Sequence, residues 1–322
     1  MTPLDPTAAA KASRTVRGPN EPGDPPRPAL VRTRAELAAV LAVHPVASGK
    51  AYGRAVVFTM GALHRGHLSL VTRARELAEQ VVVSIFVNPL QFGVDEDLGV
   101  YPRDLSGDLA LLASVGADVV FAPTADVMFP DGDPVVRVVA GQLGEVLEGV
   151  TRPGHLDGVL TVVLKLIHLT GPDVSVFGQK DAQQVMAVER MVRDLDVPVA
   201  IVAAPTVRDA DGLALSSRNA YLSAGERESA LVLSRALRAG ERALGGDGGV
   251  DDGDSVRAAA RAELAGADLE LDYVALIDPR TAREVPAGHR GTAVLAVAAR
   301  IGKTRLIDNV PLWLGEPAEG TR

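Results

Sequence analysis

Cysteine is missing from all 322 residues, which excludes disulfide frameworks, thiolate metal sites and cysteine nucleophiles together. That absence fits a cytoplasmic protein. Positive charge is also in deficit. The net charge is −8 and the pI is near 5.3, which argues against a footprint for nucleic acid or an anionic membrane. No apolar run approaches the roughly 18 residues of a membrane-spanning helix; the stretch at residues 159–169 is broken by Lys165 and His168. No glycine-rich dinucleotide fingerprint follows a strand. I-G-K-T at residues 301–304 looks like the end of a phosphate-binding P-loop, but that motif needs a glycine where Val297 stands. Lysine is scarce, 5 against 28 arginines, so Lys165 and Lys180, both inside candidate site segments, draw notice.

The length allows two modest domains with a sizeable core. Residues 1–28 hold seven prolines and no apolar stretch, which predicts a disordered tail and no secretory signal. Leu37, Val40 and Leu41 predict a helix after Thr33. Strand-like runs at 55–58, 81–87, 118–122, 174–177 and 199–203 then alternate with helical stretches at 66–80, 104–115, 158–169 and 181–195. Such alternation predicts a parallel sheet covered on both faces, with ligands at the carboxyl ends of its strands. After Pro205 the character changes. Helices are predicted over 223–243 and 254–265, a Gly/Asp-rich loop over 245–253, and strands over 269–277, 293–299 and 305–310. The expected division is a tail over 1–28, a nucleotide-binding domain over 29–205 and a small α+β domain over 206–322.

Five segments could carry chemistry. M-G-A-L-H-R-G-H at residues 60–67 follows a strand and opens a helix, where free backbone N–H groups hold phosphate. Imidazoles there donate to developing phosphate charge without acting as nucleophiles; equally, His64 and His67 could be capping or core residues. N-P-L-Q-F at 88–92 offers the amides of Asn88 and Gln91 beside Phe92, or is an ordinary turn. R-P-G-H-L-D-G-V at 152–159 sets Arg152 and His155 at a helix entrance, suited to an anion or to a surface loop. F-G-Q-K-D-A-Q-Q at 177–184 supplies the point charge of Lys180, and Asp181, which could bind a ribose hydroxyl or cap the helix. L-S-S-R-N at 215–219 is a mobile phosphate clamp or a polar turn.

In this order the five segments closely resemble the pantoate–β-alanine ligases, the pantothenate synthetase family of the H-x-G-H nucleotidyltransferase group. The likeness runs from about residue 30 to 312 and includes Y-P-R at 101–103, V-V-x-K-L at 162–166, D-G-L at 211–213 and T-R-L-I-D-N at 304–309. It implies a Rossmann-like, doubly wound α/β domain with a smaller C-terminal α+β lid. It implies a cytoplasmic, commonly homodimeric enzyme that joins pantoate to β-alanine with ATP and Mg²⁺. Pantoate would attack the α-phosphorus to give pantoyl adenylate and pyrophosphate, and β-alanine would then displace AMP.

The resemblance further implies roles residue by residue. His64, His67, Lys180, Ser217 and Arg218 would be catalytic. Met60, His67, Gly178, Lys180, Asp181, Val207, Leu215, Ser216, Ser217 and Arg218 would bind ATP. Met60, Asn88, Gln91, Phe92, His155 and Gln184 would bind pantoate. Mg²⁺ would ride on the ATP phosphates, with no protein side chain assigned to it. Departures from the family pattern stand at Phe58, where proline is usual, and at Arg65, where glutamate is frequent and whose charge adds to the phosphate end. Leu156 replaces a usual phenylalanine, and Gln179 occupies a position often held by glutamate. The rival readings are an adenylyl transferase releasing a nucleotide conjugate and a non-catalytic nucleotide-binding protein on the same fold. The paired glutamines oppose the first, and the intact His64, His67, Lys180 and Ser217 oppose the second.

Overall fold

The computed structural model describes residues 27–93, 98–99, 101–244 and 253–315. Most of the proline-rich stretch and most of the Gly/Asp-rich loop lie outside the described residues. Six parallel strands form the main sheet: β1 (Ala29–Val31), β2 (Tyr52–Thr59), β3 (Ala78–Ile85), β4 (Val119–Phe121), β5 (Val174–Gly178) and β6 (Ala200–Ala204). They lie side by side in the order β1-β4-β3-β2-β5-β6.

Alternation along the strands fixes which helices cover which face. Ala55 and Val57 of β2 join Val81, Val83 and Val176 against α2 (Arg65–Leu77) and α3 (Leu105–Ser114). Val56, one pleat away, joins Val82, Phe121 and Phe177 on the opposite face. That face is covered by α1 (Arg34–Val40), α6 (His155–Thr170) and α7 (Ala182–Asp194). Each fully buried valine or leucine contributes about 1.5–3 kcal/mol of burial, so a sheet apolar on both sides is stable only between two helical layers. Two four-residue helices, α4 (Ala125–Met128) and α5 (Glu148–Thr151), lie between β4 and α6.

The α/β expectation holds, with two local corrections. Ala29–Val31 is a strand that pairs with β4, too short to show a pattern. Helix α2 stops at Leu77 rather than 80, and β3 begins at Ala78. Ala78 and Gln80 pair with Tyr52 and Arg54, so sheet pairing overrides the helix propensity of A-E-Q.

C-terminal to the main sheet come α8 (Ala224–Ala243), α9 (Gly253–Leu264) and the antiparallel strands β7 (Glu270–Ile277), β8 (Gly291–Ile301) and β9 (Thr304–Leu314). This small sheet is buried on both faces. Val274, Leu276, Leu295 and Val297 pack on α8 and α9, while Ala275, Ile277, Val294 and Ala296 join the core of the main sheet. The I-G-K-T segment is the β8–β9 hairpin, with Gly302 at φ 55° in its turn.

Candidate active site

The order of the strands places the motifs. From β2 the chain winds to β3 and β4 on one side, then returns to β5 and β6 on the other. The crevice between β2 and β5 is therefore the topological switch point, where open α/β sheets bind ligands. The H-x-G-H segment follows β2 and Gly178-Gln179-Lys180-Asp181 closes β5. Asn88–Phe92 follows β3 and the 206–219 segment follows β6, so the segments line the carboxyl edge in the spatial order β3, β2, β5, β6.

His64 and His67 make a capping box at the start of α2. The Gly66 N–H donates to His64 Nδ1 at 3.1 Å, and the His64 N–H donates to His67 Nδ1 at 3.3 Å. A ring nitrogen that accepts an N–H carries a lone pair, so in both neutral rings the proton sits on Nε2. Burial first, then the positive charge of Lys180, hold the His64 imidazole below its ordinary value. Burial and the neighbouring His64 lower His67 to about 3. Both rings are neutral near pH 7, with centroids 4.1 Å apart. Gly66 is required here for space: a Cβ would lie 2.9 Å from His64 Cε1. Capping and ligand contact are thus compatible, because one nitrogen of each ring serves the helix and the other remains a donor.

The turn after β3 is tied inward. Asn88 is buried, and its Nδ2 donates to Gln91 Oε1 at 3.1 Å and to Gly158 O at 3.0 Å. Gln91 Nε2 points at Met60 Sδ, 2.9 Å away. Arg152 Nη1 donates to His155 Nε2 at 2.9 Å, which leaves the His155 proton on Nδ1, facing Gln91 O at 2.8 Å. Asn88 and His155 therefore both brace Gln91. Phe92 stacks edge-on to Tyr101, with centroids 6.0 Å apart.

A cleft of about 990 Å³ opens between the two sheets. His155, Lys180, Asp181, Gln184, Ser216 and Arg218 line it, with Leu156, Glu148, Tyr273 and Arg305. His64, His67, Met60, Asn88, Gln91, Phe92, Gly178, Val207, Leu215 and Ser217 are not among its walls. The histidines lie close by, since the charges of Lys180 and Asp181 act on both rings. Asp181 makes no side-chain cap to α7, so its capping reading gives way. Ser216 caps the short helical turn Ser217–Tyr221, its Oγ accepting the Arg218 N–H at 3.2 Å. Val207 O accepts the Leu215 N–H at 2.9 Å and so closes the loop before that turn.

Of the adjacent glutamines, Gln184 faces the cleft. Gln183 is buried, donating to Leu143 O and Val146 O and accepting the Glu148 N–H. Lys165 lies over the Phe129 ring, 4.8 Å from its centroid, a packing contact. Arg65 pairs with Asp209 at 2.6 Å instead of standing as an added free charge. Phe58 packs on Phe177, and Leu156 is a buried wall of the cleft.

Sequence reasoning assigned no role to T-R-L-I-D-N, yet three of its side chains fasten β9 to the site. Arg305 forks onto Glu148 at 2.7 Å on each prong, and Asp308 holds Arg208 at 2.6 and 2.9 Å. Asn309 Nδ2 donates to Gln179 O at 2.9 Å and Lys180 O at 2.8 Å. The signal was present as two adjacent polar residues, Asp308 and Asn309, set between Leu306-Ile307 and Val310 in a strand, and both are buried.

A family model described as pantoate-beta-alanine ligase matches residues 29–311. The chain is 60% identical over 270 residues to pantothenate synthetase of Thermobifida fusca, covering 81% of this chain and 90% of that protein. Identity to the Streptomyces avermitilis pantothenate synthetase is 51%, over 81% of this chain and 93% of the other. The crystal structure of Thermus thermophilus pantothenate synthetase superposes with a TM-score of 0.79 at 47% identity, covering 88% of this chain and 98% of that one. The Francisella tularensis pantoate-beta-alanine ligase, solved with beta-gamma ATP and beta-alanine, gives 0.69 at 32% identity, over 88% and 97% of the two chains. The chain therefore belongs to the pantoate–β-alanine ligases, enzymes that form an amide bond.

Proposed function

We propose that the chain condenses pantoate with β-alanine through a pantoyl adenylate, releasing pyrophosphate and then AMP. The observation that carries this reading is the pair of neutral, Nε2-protonated imidazoles at the switch point, beside Lys180. Phosphoryl transfer depends on positioning and charge stabilisation more than on a protein nucleophile, and this arrangement supplies both. His64 and His67 would donate to the α- and β-phosphates as charge develops. Lys180 would bridge phosphate oxygens, and Asp181, whose side chain makes no cap bond to α7, would hold the ribose. Met60, Gly178, Val207 and Leu215 would frame the nucleotide, with Ser216, Ser217 and Arg218 closing on the distal phosphates from residues 206–322 acting as a lid.

Gln91 and Gln184 would bind pantoate, with Met60 and Phe92 against its methyl groups and Asn88 and His155 acting through Gln91. Losing one charge-assisted contact would weaken binding by about 1.5–3 kcal/mol. Among the described residues no three His, Asp or Glu side chains converge as a metal cage, and the phosphate end presents cations and hydroxyls. That donor set fits Mg²⁺ held on the triphosphate, where it would neutralise part of the charge. Among the described residues no helix is long and apolar enough to cross a membrane; we expect a homodimer acting in the cytoplasm.

The test uses pantoate labelled with ¹⁸O in its carboxylate, with Mg-ATP and β-alanine. Attack on the α-phosphorus moves one labelled oxygen into AMP and leaves one in the amide product. No AMP above background would reject the ligase reading. Unlabelled AMP would reject the adenylate route, and AMP release indifferent to the amine would point to another acceptor.

A further inference from the structure

We infer that Asp108, on a helix outside the ligand-lined segments, is the positioning residue that sets the two histidines for phosphate. Asp108 projects from α3 and is 3% exposed. It reaches across to the turn that leads from β2 into the H-x-G-H helix. Its Oδ1 accepts the Leu63 N–H at 2.8 Å and its Oδ2 accepts the Ala62 N–H at 3.1 Å. The next N–H in the chain, that of His64, goes to His67 Nδ1. Three successive backbone donors are thus all taken by side chains, the first two by Asp108 and the third by the partner histidine.

The turn does not hold this shape on its own backbone preferences. Gly61 and Ala62 both have positive φ, 85° and 51°. For alanine that region is unfavourable and persists only where the surroundings over-determine it. Gly61 is also hemmed in, since a Cβ there would lie 3.0 Å from Asp108 Oδ2 and 3.2 Å from Ile85 Cγ2. Successive N–H groups of a turn commonly hold an anion. Here the anion belongs to the chain itself. Burial pushes the Asp108 carboxyl up, and the Leu63 and Ala62 N–H groups work against that. With the carboxylate in place, the His64 N–H is aimed at His67 Nδ1, and each ring keeps its proton on Nε2.

Asp108 is not proposed to touch ligand. Its role rests on the reading that His64 and His67 meet the ATP phosphates, and the test separates the two ideas. Asp108→Asn keeps the shape but turns a donor toward one of the two N–H groups. In that variant the ¹H–¹³C resonances of the His64 and His67 rings, which report tautomer and setting, are expected to shift. The rate of pantoate-dependent exchange of pyrophosphate into ATP is expected to fall roughly 10- to 100-fold. Combined with His67→Ala, the Asp108→Asn effect is expected to shrink to a few-fold, because a residue acting through the histidine has little left to act on. Should Asp108→Asn fail to reach the wild-type far-UV spectrum, Asp108→Glu keeps the charge while displacing both oxygens, and the same shifts are expected.

Unchanged ring resonances, or a full-sized Asp108→Asn effect in the His67→Ala background, would overturn the proposal. Moved resonances with exchange untouched by His67→Ala would uphold the positioning and overturn the phosphate role of the histidine.

Discussion

Glu148 and Arg305, 157 residues apart, meet as a two-pronged ion pair in the wall of the cleft, 2.7 Å on both prongs. The Tyr273 hydroxyl adds a third bond to Glu148 at 2.8 Å, and Asp272 takes the remaining Arg305 nitrogen at 2.5 Å. Burial would push the Glu148 carboxyl up, but Arg305 and Tyr273 more than reverse this and leave it below its usual value. The pair joins the short helix α5 to the antiparallel sheet, so it sets the width of the cleft. Removing either partner strands a buried charge. Arg305→Met and Glu148→Leu are each expected to destabilise by roughly 3 kcal/mol. The double variant is expected to lose less than the two combined, a coupling that urea unfolding of all four chains would measure.

His64→Ala removes a helix cap and, on the proposed reading, a phosphate donor. The cap predicts a stability loss of about 0.5–2 kcal/mol, seen as a lowered thermal midpoint. Turnover is expected to fall about 100-fold, beyond what that loss explains. His64→Asn restores a cap without the Nε2–H, so its midpoint should recover while turnover stays low.

Acid acts on the same turn. His67 is held at about 3 in the folded chain, against about 6.5 unfolded. Between those values the unfolded chain binds the extra proton, so stability falls as pH drops from about 6.5 toward 3. Above about 6.5 the contribution is complete. Thermal midpoints from pH 3 to 8 are expected to fall less steeply in acid for His67→Gln than for the parent chain.

Asn309 fixes Lys180 from behind, through the carbonyls of Gln179 and Lys180. Asn309→Asp sets a carboxylate against those two oxygens. Turnover is expected to drop roughly 10- to 100-fold. Lys180→Ala in the same background should then add less than it does alone, a non-additivity that steady-state rates would reveal.

Arg65 offers a contrast. Its pair with Asp209 leaves the arginine side chain 72% exposed, so solvent screens it. Arg65→Glu is expected to change stability by less than about 1 kcal/mol. A midpoint shift of ten degrees would show that this contact holds the 206–219 segment more firmly than its exposure implies.

Five of the six main-sheet strands and the longer helices between them were legible in the sequence because each of those strands is a short apolar run bounded by turn residues. So was the carboxyl-edge placement of the five segments. What could not be read was the bracing. Asp108 lies 45 residues from Leu63, and Glu148 lies far from Arg305; local pattern carries no record of such partners. Ala78–Gln80 misled for the opposite reason, since its composition is helical while its neighbours in space are strands. Asn88 and His155 are expected to meet ligand because both are polar at a strand end or helix entrance, and His155 does line the cleft. Only the fold brings both of them to Gln91.

The segments at the carboxyl edge stand on neighbouring strand ends, and this makes their heredity joint rather than separable. On the proposed reading the acid would meet Gln91 after β3, Met60 after β2 and Gln184 at the start of α7, while the phosphates would meet the histidines after β2 and Lys180 after β5. Two of those three places would serve both ligands. Only the loop after β3 could then drift toward a new acid without disturbing the phosphate end.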